Sequence, residues 1–151
     1  MTKEQMVFCV TDGASRKNPG EAGCGCHIRD NPNGKIWKLT KYLGTATNNE
    51  AEYSGMILCL EKLVEIQAQD IVIYSDSLNM VNQLNGTYKL KAENLRPLWQ
   101  SCRTLMKKLP KLKIVYKPRE NTKSADRLAN IAINLKDDEE KCFDITAETA
   151  A

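Results

Sequence analysis

The chain has a single histidine, no C-x-x-C pair, no apolar run of 18 residues and no internal repeat. Each absence removes a class of protein. A zinc centre built on thiolates needs paired cysteine spacing, and of Cys9, Cys24, Cys26, Cys59, Cys102 and Cys142 only Cys24 and Cys26 lie close together, most of the six sitting inside apolar runs. Without an apolar run of membrane length, no spanning helix and no membrane partner are expected. No leader-like segment is recognised, so free buried thiols in a reducing cytoplasm are expected. His27 falls on an early predicted strand and reads as structural.

The remaining composition is enough for one core. At 151 residues, 17.0 kDa and 42% hydrophobic content, the chain fits one domain. Its net charge of +3 hides an asymmetry: residues 1–136 carry 21 Lys and Arg against 13 Asp and Glu, while residues 137–151 carry one Lys and six acids. Residues 1–136 are expected to form the domain and 137–151 an acidic, flexible tail without apolar periodicity. Between Lys89 and Lys123 eleven basic side chains face only Glu93 and Glu120. Such a stripe suits a polyanion, because phosphate binding releases counterions, although a solvated basic face has the same composition.

Periodicity supplies the elements. Val7–Thr11, Cys24–Arg29 and Ile36–Leu43 read as strands, with Asn31-Pro32-Asn33-Gly34 as the turn of a hairpin. Asn48 is a candidate N-cap for a helix whose apolar positions run through Met56, Leu60 and Leu63. Ile71–Tyr74 and Leu112–Tyr116 are further strands; Ser77–Leu84, Glu93–Leu109 and Thr122–Leu135 are helices. An antiparallel meander followed by crossover helices predicts an α/β fold: a mixed five-stranded sheet flanked by helices, three strands antiparallel and two parallel.

Four acids fall at the ends or beginnings of different elements. Asp12 continues the Phe8, Val10 row at the end of the first strand, and Asp76 continues the Val72, Tyr74 row. Side by side and parallel, these two strands would place both carboxylates in the crevice where open α/β sheets bind ligands. Two residues of helix turn about 200°, so Glu50 and Glu52 face opposite ways; Glu52 shares the stripe of Met56, Cys59 and Leu60 and points inward. Asp126 opens the last helix. Each acid alone is serviceable as a cap or turn residue. Together they point to a divalent cation, since clustered carboxylates otherwise repel.

The phrases holding these acids are Thr11-Asp12-Gly13-Ala14-Ser15 with Asn18-Pro19-Gly20, Thr47-Asn48-Asn49-Glu50-Ala51-Glu52, Tyr74-Ser75-Asp76-Ser77 and Ala125-Asp126-Arg127-Leu128-Ala129. In this order and spacing, from about Val7 to Leu135, the chain resembles type 1 ribonucleases H of the compact archaeal and bacterial form. The resemblance implies the ribonuclease H-like fold and hydrolysis of the RNA strand of an RNA/DNA hybrid to 5′-phosphate and 3′-hydroxyl ends. It implies Asp12, Glu52, Asp76 and Asp126 as catalytic ligands of two Mg²⁺ ions about 3.5 to 4 Å apart, with Mn²⁺ able to substitute.

By the same resemblance Gly13, Ala14, Asn18, Asn48 and Asn49 would line the minor groove and Thr47 would anchor a DNA-strand phosphate. Relatives usually carry a histidine before the last helix. Here Lys117-Pro118-Arg119-Glu120-Asn121 stands in that loop, with Arg119 the candidate replacement, able to steady phosphate charge but not to act as a base near neutral pH. A glutamine common after the S-D-S aspartate is replaced by Leu78. The expected partner is an RNA/DNA hybrid bound by a monomer. The alternatives are a relaxed nuclease that also cuts double-stranded RNA and a binding module without turnover.

Overall fold

Alternating apolar residues in the first third of the chain produce three long strands, and helical spacing dominates the remaining two thirds. The computed structural model describes residues 2–145. The elements are β1 (Val7–Ser15), β2 (Gly20–Asp30), β3 (Lys35–Ala46), α1 (Asn48–Glu65), β4 (Ile71–Ser75), α2 (Leu78–Leu84), α3 (Arg96–Met106), β5 (Leu112–Tyr116), α4 (Lys123–Leu135) and β6 (Glu139–Asp144), with 3-10 turns at 3–5, 93–95 and 119–121. The sheet order is β5-β4-β1-β2-β3-β6. β4 runs parallel to β1 and β5 parallel to β4, while the β1–β2, β2–β3 and β3–β6 pairs are antiparallel.

The core lies on one face of the sheet. Val7 and Cys9 of β1, Cys26 and Ile28 of β2, Leu39 of β3, Ile71 and Ile73 of β4 and Ile114 of β5 pack with Met56, Cys59, Leu60 and Leu63 of α1. Each fully buried aliphatic side chain contributes roughly 1.5–3 kcal/mol. Trp99 of α3 joins this layer and its Nε1 donates to the Gln83 carbonyl at 3.2 Å, so it is a packing residue. On the opposite face α4 lies over β2, with β1 and β3 beside it.

Two glycine contacts set how closely the layers approach. A Cβ on Gly13 would sit 2.1 Å from the Ala51 carbonyl carbon, and one on Gly25 would sit 2.5 Å from Leu128 Cβ. Only glycine lets β1 touch α1 and β2 touch α4 at these distances.

Three expectations are corrected. The sheet has six strands, the sixth drawn from the segment expected to be a flexible tail. Residues 139–144 have no apolar period, but they satisfy the backbone edge of β3 and are tied down by side chains. Tyr42 N–H donates to Asp138 Oδ1 at 2.8 Å and Glu139 N–H to Thr40 Oγ1 at 3.0 Å. Lys35 pairs with Asp144. Lys62 of α1, 3% exposed, pairs with Glu140 at 2.9 Å and Glu65 at 2.8 Å and lies 4.2 Å from the centroid of Trp37. Residues from 146 onward lie outside the described residues. Second, the N-cap of α1 is Thr47, not Asn48: Thr47 Oγ1 accepts from Glu50 N–H at 3.1 Å, and Glu50 Oε1 accepts from Thr47 N–H at 2.9 Å. This reciprocal box holds Glu50 half-buried at the helix end. Third, the helix expected over 93–109 is a 3-10 turn followed by α3, ending at Met106.

Candidate active site

β4 ends at Ser75 beside β1, and the shared register brings Asp12 and Asp76 to one crevice as expected, but β1 runs on to Ser15 in its pairing with β2, so Asp12 lies inside that strand and not at its end. Asp12 is 3% exposed. α1 enters from the other side of β1, and its contact with Gly13 places Glu52 within reach. A Cβ on Gly55 would meet the Asp12 carbonyl at 2.8 Å, so a second glycine, one turn along α1, keeps the helix against the strand. One oxygen each from Asp12, Glu52 and Asp76 lie within 4.8 Å of one another.

The electrostatics reflect this crowding. Burial, then the neighbouring acids, raise both Asp12 and Glu52 above the ordinary carboxylate range, Asp12 to about 7 and Glu52 to about 10. Gly13 N–H donates to Asp12 Oδ1 at 2.9 Å and opposes the shift. Glu52 Oε2 is buried without a hydrogen-bond partner. A buried acceptor with nothing to bind is costly unless something occupies it. Three convergent oxygen donors, one orphaned, fit a hard divalent cation such as Mg²⁺ or Mn²⁺ better than a softer metal.

Asp126 approaches from the first turn of α4, close enough to add its charge to Asp12, but it is not one of the three closest acids. Its side chain is 26% exposed and Oδ1 accepts from Arg119 Nη2 at 3.2 Å; Arg119 is itself 72% exposed. Thr122, missed by sequence reasoning, is buried beneath this pair. Its Oγ1 lies 3.1 Å from the Arg119 carbonyl and 3.4 Å from Asp76 Oδ2, linking the β5–α4 loop to the carboxylate on β4. The last helix was expected to begin at Thr122, but nothing in the sequence marked its long-range partner.

The residues expected to line a groove divide. Asn18, Asn48 and Ser15 form one polar cluster: Asn48 N–H donates to Asn18 Oδ1 at 2.9 Å, Ser15 N–H to Asn48 Oδ1 at 2.9 Å and Asn18 N–H to Ser15 Oγ at 3.2 Å. Asn18 has φ 37, a left-handed conformation that asparagine tolerates. Asn49 is exposed and lines a small hollow of about 80 Å³ with Glu52, Ser77, Asn79 and Gln83. Ala14 is half-buried. Gly13 is buried against Ala51 and does not line an open groove; its contribution is the close approach of strand and helix. His27 is half-buried on β2, outside the acidic cluster, its proton affinity lowered by burial and by Lys38 and Arg29.

A mixed sheet with a meander, two further parallel strands and acids meeting from adjacent β1 and β4 defines a ribonuclease H-type fold. Residues 10–132 match the family described as reverse transcriptase-like, and the chain belongs to that family, in its type 1 ribonuclease H branch. Ribonuclease HI of Halobacterium salinarum is 34% identical over 128 residues, covering 85% of this chain and 64% of that protein. The crystal structure of the Halobacterium enzyme superposes with a TM-score of 0.80 at 33% identity, over 85% of this chain and 98% of that one. LC11-RNase H1, solved in complex with an RNA/DNA hybrid, gives 0.79 at 34% identity, over 86% and 98%. A bifunctional protein of Mycobacterium tuberculosis is 35% identical over 129 residues, 85% of this chain but 35% of its own length. The chain thus spans about a third of the mycobacterial relative. Among the described residues, no helix is long and apolar enough to cross a membrane.

Proposed function

We propose that the chain is an endoribonuclease that hydrolyses the RNA strand of RNA/DNA hybrids, leaving 5′-phosphate and 3′-hydroxyl ends. The observation that carries this is the acidic cluster: three carboxylates from β1, α1 and β4 with oxygens within 4.8 Å, one of them buried and unpartnered. The hybrid bound by LC11-RNase H1, at 34% identity, supports the substrate.

Asp12, Glu52, Asp76 and Asp126 would hold Mg²⁺, with Mn²⁺ as a substitute. Bound divalent cations supply positive charge at the attacking and leaving oxygens of the phosphodiester. The protein's own groups do the rest. Gly13 N–H fixes the rotamer of Asp12 and Thr122 that of Asp76. Arg119, tethered to Asp126, is placed to hold phosphate charge. The Asn18–Asn48 cluster and exposed Asn49 offer amide groups to 2′-hydroxyls and base edges. The Thr47 hydroxyl is an acceptor in its cap, which leaves its proton for a DNA-strand phosphate. The eleven basic residues between Lys89 and Lys123 supply salt-dependent affinity. The same reading has the chain working as a monomer in a reducing cytoplasm, a compartment that its free thiols fit.

The test is cleavage of an end-labelled hybrid by wild type and Asp76→Asn, beside matched RNA and DNA duplexes, in Mg²⁺ and in Mn²⁺. The expected result is metal-dependent cutting of the hybrid's RNA strand alone, abolished in the variant while hybrid binding persists. Undiminished cutting by Asp76→Asn would overturn the assignment of the carboxylates. Equal rates on double-stranded RNA would overturn the assignment of substrate.

A further inference from the structure

The sheet face that carries Asp12 and Asp76 continues below them as a basic and aromatic surface outside the acidic cluster. Strand register lets it be read row by row. The row of Asp12 contains Gly25, Thr40 and Glu139. The next row reads Lys141, Lys38, His27, Val10, Tyr74, Val115, and the one below it Phe143, Ile36, Arg29, Phe8, Val72, Lys113. α4 reaches this face through Gly23 and Gly25, nearer the acidic row.

Beyond α4 the surface is a groove. Phe8, Arg29 and Tyr74 are shared by two adjoining hollows of about 420 Å³ and 400 Å³, one extending to Lys117 and Asn121, the other to Lys3, Glu4 and Asn31. Lys3, Arg29 and Lys117 face a single acid, Glu4, so the lining is cationic. Lys117 Nζ lies 5.4 Å from the centroid of the Tyr74 ring. Half-buried rings flanked by Lys117 and by Arg29, whose Nε donates to Asn31 Oδ1 at 2.8 Å, suit a strand that presents alternating flat bases and phosphates. An acidic peptide would match the charge but leave the paired rings unused.

The groove is also continuous with the acidic crevice. Lys117 N–H donates to the Ser75 carbonyl at 2.9 Å, one residue before Asp76, and the segment from Lys117 to Thr122 carries Arg119 and Thr122 to Asp126 and Asp76.

We infer that this groove binds single-stranded nucleic acid, stacking two bases on Phe8 and Tyr74 with phosphates on Arg29 and Lys117, so that a single-stranded extension of a substrate or product lies along the sheet beside the carboxylates. Such binding is independent of hybrid hydrolysis. It is measured without divalent metal, and its failure leaves the cleavage assay untouched.

The experiment uses the full chain in EDTA with eight-nucleotide oligo(U) and oligo(dT) as probes, read by amide chemical shifts and by fluorescence anisotropy. Shifts are expected at residues 8–10, 27–29, 72–74 and 117–121. Tyr74→Leu and Phe8→Leu, which keep apolar volume, are each expected to weaken binding about tenfold. Lys117→Gln is expected to reduce the salt dependence by about one charge and carries the test if a ring variant fails to fold. Shifts confined to residues 47–52 and 76–79, or full displacement of the oligonucleotide by a blunt hybrid, would overturn the proposal by assigning the strand to the catalytic crevice. So would unchanged affinity in all three variants. An acidic aromatic peptide that moves the groove amides when the oligonucleotides do not would assign the face to a protein instead.

Discussion

Neutralising Asp12 should make the metal-free protein more stable, not less. Asp12 is 3% exposed and its carboxyl is pushed up to about 7 by burial and then by Asp76 and Asp126. A carboxyl whose folded value lies above its unfolded value of 3.8 binds its proton more tightly in the native state. Its contribution to stability is therefore complete below about pH 4 and is lost as pH rises through about 7. Holding this carboxylate ionised in the folded protein costs roughly 2–3 kcal/mol, part of the strain being shared with Glu52. Asparagine keeps the acceptor for Gly13 N–H and carries no charge to desolvate.

At pH 8 in EDTA, Asp12→Asn should thus melt about 4–12 °C above wild type, a chain of this size moving about 2–4 °C per kcal/mol. At pH 4 the two should converge. His27 titrates with the opposite sign, because its lowered folded value penalises the native state at low pH, so the observable is the difference between the two proteins and not either curve alone. Excess Mg²⁺ should reverse the order at pH 8, stabilising wild type by its affinity and the variant far less. Differential scanning calorimetry across pH 4–8, with and without metal, reads all of this. A variant no more stable than wild type at pH 8 in EDTA would refute the claim that the cluster is held together against its own charge.

The same geometry sets other outcomes. Gly13→Ala forces a methyl into the Ala51 backbone and should destabilise by about 1–3 kcal/mol or more, with hybrid cleavage falling further than stability because Glu52 moves with α1; urea melts and initial rates on one preparation separate the two. Thr122→Val removes the hydroxyl beside Asp76 and should lower kcat by about tenfold with little change in hybrid affinity, checked by single-turnover kinetics and a binding assay in Ca²⁺. Removing residues 138–151 deprives buried Lys62 of Glu140 and bares the edge of β3. The truncated chain should lose about 2–4 kcal/mol and gain amide exchange in residues 35–40, yet still cut hybrid, since β6 is the edge strand, with β3 and β2 between it and β1.

The convergence of Asp12, Glu52 and Asp76 was legible because each obeys a local period. Alternation along β1 and β4 places Asp12 and Asp76 on one face, and helical spacing separates Glu52, which reaches the cluster, from Glu50, which closes a capping box. The parallel pairing of those strands was implied by a meander succeeded by crossovers, and the family phrases tied the four acids to one chemistry. β6 was not legible: Glu139-Glu140-Lys141-Cys142-Phe143-Asp144 has no period, and it becomes a strand only because β3 presents an open edge and Lys62, from a distant helix, sits where Glu140 can reach it.

Nor could sequence alone say why Gly13, Gly25 and Gly55 are glycine, since each is required by a backbone or side chain 30 or more residues away. The same holds for Thr122 and Asp76, 46 positions apart. Identity and order of the acids belong to the sequence, because side-chain direction within one element depends on backbone period. The distances that raise Asp12 and Glu52, leave an oxygen unpartnered and open a cationic groove beside them belong to the tertiary structure, because each is set by how closely separate elements can pack.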